Sequence, residues 1–418
     1  MRITSALAIT ASMIGAAGLS TPAPAQRAQP KKAEAQAEPA GPKRTYTKGA
    51  QKALQELQTA ANANDVANFP AKLAAAEAAA KNPDDRYFIA QMRLSMAIKA
   101  QDRAAQRAAI DAVLRSGGAQ PDELGRLYRA QGGFAIEAKD YDGAIAAYNQ
   151  ALKISPNDPD IINNMIIIHR DRKQHAQALA LVQQSIAARK AASQPVPENL
   201  YLLGLQTALD GNIKGQMLPL TRELLTAYPT QKNWQNGIAI YRQSVTTDDE
   251  AALDTFRLMR AAKALQNSNE YIALADNLAR DRYYAEARDV INEGVTSGKL
   301  KSTNASASAI LKEVSGKIAG DRTALAGLEG RARSEAAGTF ALKIAEGYYG
   351  HGDWAKAAEF YRLALQKGSV DSNLVNTRLG MALAQSGRKA EAETAFKAVG
   401  GSRADLAGLW MLWLNRQA

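Results

Sequence analysis

RLYRAQGGFAIEAKDYDGAIAAYNQALKISPND, Arg126–Asp158, decides the fold of this chain. Apolar and small residues recur every three or four positions on both sides of Lys139-Asp140. That spacing predicts two amphipathic helices joined by a tight turn. Pro156 closes the second helix, because proline cannot donate to a helical ladder. Small residues stand where the two helices must approach, Gly132 in the first and Ala144 in the second. Tyr128 and Tyr148 are the large side chains expected to fill the space between this unit and its neighbours. A leucine at Ala144 is expected to overpack, at a cost of about 1–3 kcal/mol.

Weaker copies flank this unit. Pro159 to Lys190 continues with Ile162, Met165, Ile166, His169, Ala178 and Val182. A third copy carries Leu200, Leu203, Gly204 and Gly211, then LTRELLTAYP ending at Pro229, with Pro219 where its second helix should begin or already run. Trp234 and Tyr241, then Ala252, Phe256 and Met259, mark a fourth; Tyr271, Leu274, Leu278, Tyr284, Ala287 and Ile291 mark a fifth. Between Lys301 and Arg333 the pattern blurs into two short helices. It returns in Ile344, Ala345, Tyr348, Gly352, Trp354, Ala357, Tyr361 and Ala364, and again in Leu379, Gly380, Leu383, Gly387, Ala392 and Phe396. Alanine-rich segments from Lys48 to Gly118 read as two degenerate units before the first clear one. Alanine and leucine dominate the apolar residues and few stretches alternate with period two, so the fold class is all-α.

These residues fall on a known pattern, W-x2-L-G-x2-Y, then A-x3-F, then P, within about 34 residues. Tyr128 takes the first aromatic place, Gly132 the glycine and Ala135 the following tyrosine place. Ala144, Tyr148, Ala151 and Pro156 take the second-helix places, while Gln131 departs from the usual leucine. From about Lys48 to Gly400 the chain resembles the tetratricopeptide-repeat family. The resemblance implies a right-handed α-solenoid of tandem helix-turn-helix repeats, whose first helices line a concave face that binds proteins or peptides.

The first-helix face opposite the packing side carries Arg126 and Arg129 in one unit, Asn163, Ile167 and Arg170 in the next, and Tyr201 in the third. Arginines, an amide and exposed apolar groups suit an extended peptide held by hydrogen bonds and charge pairing. These six residues are the candidate partner-binding site. The carboxylate clamp of chaperone-binding members of the family does not fit: Asn164 suits one place, but Gly133, Glu198 and Leu202 stand where an amide and two basic groups are needed.

Residues 1–25 read as a signal peptide. Arg2 precedes an apolar run from Ile3 to Leu19, and Ala23-Pro24-Ala25 offers a small-residue cleavage site. An uncleaved anchor is the rival reading; the modest hydrophobicity and the Ala-Pro-Ala ending favour cleavage and a periplasmic location. Residues 26–47 are rich in Ala, Pro and Lys and read as a disordered linker. No later stretch is long and apolar enough to span a bilayer. The formal charge of +11 admits a polyanionic partner, and an envelope or polysaccharide-export accessory that binds an anionic glycan or lipid surface is the alternative reading. Export argues against nucleic acid.

The catalytic inventory is thin. There are no cysteines and three histidines, of which His169 and His175 lack metal spacing. Ser386-Gly-Arg-Lys389 has the S-x-x-K spacing of a serine acylase, but it falls on a repeat turn and no S-D-N or K-T-G partner accompanies it. No catalytic residue, metal site or cofactor is expected. Residues 401–418 read as a capping helix, with Leu406, Leu409, Trp410 and Trp413 in one apolar stripe. Met411, Leu412 and Leu414 are left on its other side, for a bent solenoid end or for a dimer or partner contact.

Overall fold

A computed structural model describes residues 44–245 and 248–416. The signal peptide and most of the proposed linker lie outside the described residues. Every regular element described is helical, and the chain divides into two compact units at Asp171 and Arg172.

The first unit contains α1 (Gln51–Asn62), α2 (Phe69–Ala79), α3 (Pro83–Lys99), α4 (Arg103–Ser116), α5 (Pro121–Glu137), α6 (Tyr141–Ile154) and α7 (Pro159–Asp171). Each packs on its successor, the stacking order of an α-solenoid, and α1 also touches α3. The helix starts follow ordinary chemistry. Asn82 and Asp85 form a reciprocal capping box on α3, Asp102 caps α4, and Asp140 accepts from the Gly143 amide at 2.9 Å to cap α6. Arg44–Thr47, expected in the linker, is fastened to this unit. The Arg44 guanidinium donates to Asp84 (3.2 Å) and to the Gly118 carbonyl (2.8 Å), and it lies 3.5 Å above the Tyr87 ring. Acidic residues in the first turn of α3 supply the partners that a sequence-only linker reading had no reason to assign.

The second unit contains α8 (His175–Ala191), α9 (Glu198–Asp210), α10 (Lys214–Ala227), α11 (Gln231–Ser244), α12 (Asp249–Ala261), α13 (Ser268–Arg280) and α14 (Tyr284–Thr296). It continues with α15 (Ala305–Ser315), α16 (Ile318–Ser334), α17 (Thr339–Gly350), α18 (Trp354–Lys367), α19 (Ser372–Gln385), α20 (Lys389–Lys397) and, after a short 3-10 turn at Gly401–Arg403, α21 (Ala404–Asn415). Pro219 sits inside α10 rather than at its start. The blurred region resolves into α15, which packs on α13 and α14, and a longer α16, which packs on α17. Only Leu325 and Ala332 of α16 are buried, so its weak sequence pattern reflects a helix with little to cover.

One backbone feature marks the repeat. Lys139 adopts φ +58° between α5 and α6, and the residue at the matching place does likewise at Lys173, Asn212, Arg282, Gly352 and Gly387. Lys139 to Lys173 is 34 residues, and Gly352 to Gly387 is 35. The core behind these turns follows the expected spine. Gly132 lies so close to Tyr148 that a Cβ there would meet the ring at 2.4 Å, and Gly380 stands in the same relation to Phe396 at 2.5 Å. Ala144, Tyr148 and Ala151 are buried, as are Trp234, Tyr241, Ala357, Tyr361 and Phe396. Gln131, in the usual leucine place, donates to Asp111 at 2.8 Å instead of packing.

Inside the second unit the chain returns on itself. α21 packs on α20, as a cap should, and also on α10, α12 and α19. Leu414 is therefore buried, and Met411 and Leu412 are half-buried. The second contact of the cap is within the same chain. Beneath it lies a buried charge cluster: Asp254 of α12 accepts from Arg378 of α19 (3.1 Å) and from Arg403 (2.9 Å). Arg257 of α12 forms a two-pronged pair with Glu286 of α14 at 3.0 and 2.6 Å, and Arg378 also reaches Glu250 and Glu346. Burial opposes the charge on Arg378, but Asp254 and Glu346 outweigh it and hold the guanidinium ionised.

Candidate functional site

Five of the six sequence-chosen residues lie in the first unit, on α5 and α7. Their presentation follows from helix geometry. Leu127, Ala130, Phe134 and Ala135 turn one side of α5 into the core, and Ile161, Ile162, Met165, Ile166 and Ile168 do so for α7. Exposed between the ends of α5 are Arg126 and Arg129; between the ends of α7 they are Asn163 and Ile167, one turn apart, with Arg170 half-exposed next along the stripe. Ile167 keeps 39% of its surface in water.

The charges there are largely balanced. Arg129 lies 3.3 Å from Asp158 and 3.4 Å from Asp160, at the start of α7, which joins the outer edges of the two helices. Arg126 pairs at 3.8 Å with Asp122, one turn back on its own helix. Neither arginine is a bare cation waiting for an anion. The same holds for Lys72 with Glu56, Lys190 with Glu223 and Arg260 with Glu293. Such pairing works against a surface built for a polyanion. Asn164 is turned inward and donates to the Tyr148 hydroxyl at 3.0 Å, so it supports packing between repeats.

Tyr201 is a correction. It lies in the second unit and is 3% exposed, with its ring edge-on to Tyr228 at a centroid distance of 6.5 Å. The Tyr228 hydroxyl donates to the Val196 carbonyl at 2.8 Å and fixes that partner. Burial raises the Tyr201 hydroxyl above its ordinary pKa. The exposed residues of α9 are Asn199, Leu202, Gln206, Leu209 and Asp210. A shift of one residue is a rotation of about 100° on a helix, enough to exchange a solvent position for a core one. Summing the apolar residues around α9 would have shown this, because Leu200, Gly204, Leu205 and Ala208 all fall on the side that includes Tyr201.

The remaining polar motifs serve the fold. The Ser386 hydroxyl donates to the Leu383 carbonyl at 3.0 Å, and Lys389 is the first residue of α20. Ser386 also lines an open hollow of about 370 Å3 with Arg322, His351, Asp353 and Trp354, where the His351 ring lies 2.8 Å from Asp321. His175 packs against Gly211, where a Cβ would meet it at 2.5 Å. Among the described residues no three acidic or histidine side chains cluster for a metal, and no helix is long and apolar enough to cross a membrane.

Helix pairs stacked in order, joined by left-handed turn residues and lined by a spine of small residues, define a helical-repeat protein. Residues 135–194, from the end of α5 through α8, match a family model described as a tetratricopeptide repeat. No curated protein matches the chain. Among solved structures, the complex of the TPR2AB domain of yeast Sti1 with pHSP90 is similar at 12% identity, covering 70% of this chain and 98% of that one with a TM-score of 0.24. A tetratricopeptide repeat protein from Parabacteroides merdae is similar at 13%, covering 70% and 99% with a TM-score of 0.24. The apo form of RapI is similar at 14%, covering 76% and 97% with a TM-score of 0.26.

Proposed function

We propose that this protein is a non-catalytic, exported scaffold that binds protein or peptide segments along the outward stripe of α5 and α7. One observation carries the reading. Ile167 and Asn163 stand exposed on the first helix of a repeat whose opposite side is fully buried, inside the segment matched by the repeat model. An exposed aliphatic beside an amide, flanked by arginines already turned towards carboxylates, suits a polypeptide with both apolar and polar groups. Arg129 contributes through its paired carboxylates as well as its own donors, so a peptide meets a mixed-charge edge. The periplasmic setting rests on the N-terminal 25 residues of the sequence.

The test places a photo-crosslinking residue at Asn163 or at Ile167 in the full chain in cells. Gln150, exposed on α6, is the control position. A partner captured at the first two positions and not at the third supports the reading; the same set captured at all three defeats it. For the export half, a mature chain that retains Met1 and fractionates with the cytosol would rule the periplasm out.

A further inference from the structure

The last described helix of the second unit is held as a ligand is held. The stripe Leu406, Leu409, Trp410 and Trp413 of α21 is buried against α10, α12, α19 and α20. Polar contacts fix its register. Asp405 in its first turn lies 2.5 Å from Arg222 of α10, and the Trp413 indole donates to the Ala261 carbonyl, at the end of α12, at 3.0 Å. Gly408 lets the Arg222 guanidinium lie across the helix, since a Cβ there would stand 3.2 Å from it. Trp410 stacks on Phe396 of α20 at a centroid distance of 6.3 Å.

The fit is incomplete. The Trp410 indole nitrogen of α21 and Arg222 Nε of α10 are buried without a hydrogen-bond partner. Buried donors left unpaired weaken the seated state relative to any arrangement that pairs them. Arg403, immediately before α21, is anchored independently through Asp254 (2.9 Å) and Asp248 (3.1 Å). The chain before α21 is thus fastened by contacts that do not involve the seat.

We propose that this seat is an interaction surface for an amphipathic helix of a partner protein, which displaces α21. The helix that fits carries a carboxylate where Asp405 stands, a small residue at the place of Gly408 and aromatic side chains at those of Trp410 and Trp413. Arg222 and the Ala261 carbonyl read the two ends of that pattern. Because α21 stays tethered through Arg403, it competes at high effective concentration, and the partner's apparent affinity is reduced by the fraction of time the seat is open.

The probe is a fluorescent synthetic peptide of residues 404–416, titrated into the full chain. Saturable one-to-one binding is expected. Trp413→Ala in the chain should tighten peptide binding at least tenfold, by weakening the internal competitor, and Asp405→Asn in the peptide alone should weaken it at least tenfold, because only the probe then loses the Arg222 contact. Equal affinity for wild type and Trp413→Ala, or no saturable binding to a Trp413→Ala chain that keeps its helical circular dichroism, overturns the proposal. Native-state hydrogen exchange on the wild-type chain tests it without a variant. Amides of α21 should exchange at least tenfold faster than those of α19, and equal protection overturns the proposal by showing that α21 opens only with the whole unit. A wild-type chain that dimerises with rising concentration would assign the seat to a second copy and overturn the partner reading.

Discussion

Asp254 and Arg378 are 124 residues apart in sequence and form an ion pair at 3.1 Å, with neither side chain exposed to water. The second Asp254 oxygen accepts from Arg403 at 2.9 Å, and Arg257 lies 3.4 Å from the first. A single carboxylate thus fastens the return of the second unit onto α12. Replacing it with alanine leaves several guanidinium groups short of a counter-charge in a dry interior. Asp254→Ala is expected to lower the stability of this unit by about 3–5 kcal/mol, measured by urea unfolding. Wild-type stability would show that Glu250 and Glu346 suffice for Arg378.

Close approach of α5 and α6 depends on the missing side chain at Gly132. An added methyl would overlap the buried Tyr148 ring, whose hydroxyl is held by Asn164. Gly132→Ala is expected to destabilise by about 1–3 kcal/mol through overpacking, although alanine is the better helix former by about 1 kcal/mol. Gly327, inside α16 with nothing within 4 Å of a Cβ, provides the contrast. There the same change should stabilise by about 0.5–1 kcal/mol. Thermal melts of both variants separate the packing effect from the propensity effect.

The turn at Lys139-Asp140, the close approach at Gly132 and the buried Ala144 were legible in the sequence because all are local to one repeat, whereas Tyr148, expected between units, packs on Gly132 of its own unit. A short stretch carries both halves of each contact, and the helical period assigns their faces. The Asp254–Arg378–Arg403 cluster was not legible. Its members lie in different repeats, each looks like one more charge on a helix, and only the return of the chain brings them together. The leftover Met411, Leu412 and Leu414 did signal a second contact for the cap, but not its location. On the candidate site, Arg126, Arg129, Asn163 and Ile167 are outward as their spacing implied. What their spacing could not disclose was that Asp158 and Asp160 lie against Arg129.

Acid should release the N-terminal attachment of the first unit. Asp85 accepts from the Thr47 amide (3.0 Å), the Thr47 hydroxyl (2.6 Å) and the Lys81 amide (2.9 Å). Burial pushes its carboxyl up, but these donors outweigh burial and hold it below its ordinary value. A carboxyl whose pKa is lowered by folding binds fewer protons folded than unfolded. The stability it adds is present above the unfolded value, near pH 4, and is lost as the pH falls through the lower folded value. Hydrogen-exchange protection factors around Thr47 should therefore fall below about pH 4 in the wild type. In Asp85→Asn the same amides should be poorly protected already at neutral pH, with a flatter response to acid.

Tyr201 and Leu202 are adjacent in sequence and opposite in environment, which makes α9 a direct test of its orientation. Tyr201 is buried against Tyr228, whereas Leu202 keeps 38% of its surface in water. Removing the buried ring loses its transfer free energy and leaves a cavity that neighbouring helices fill only in part. Tyr201→Ala is therefore expected to cost about 3–5 kcal/mol, in the range of buried aromatic truncations. Leu202→Ala should change stability by no more than about 0.5 kcal/mol. Urea unfolding of the two variants checks this, and comparable losses in both would mean that α9 is rotated from the orientation described. The same pair separates stability from recognition: a partner that contacts α9 should lose affinity with Leu202→Ala, at full stability, whereas any loss with Tyr201→Ala should track the unfolded fraction.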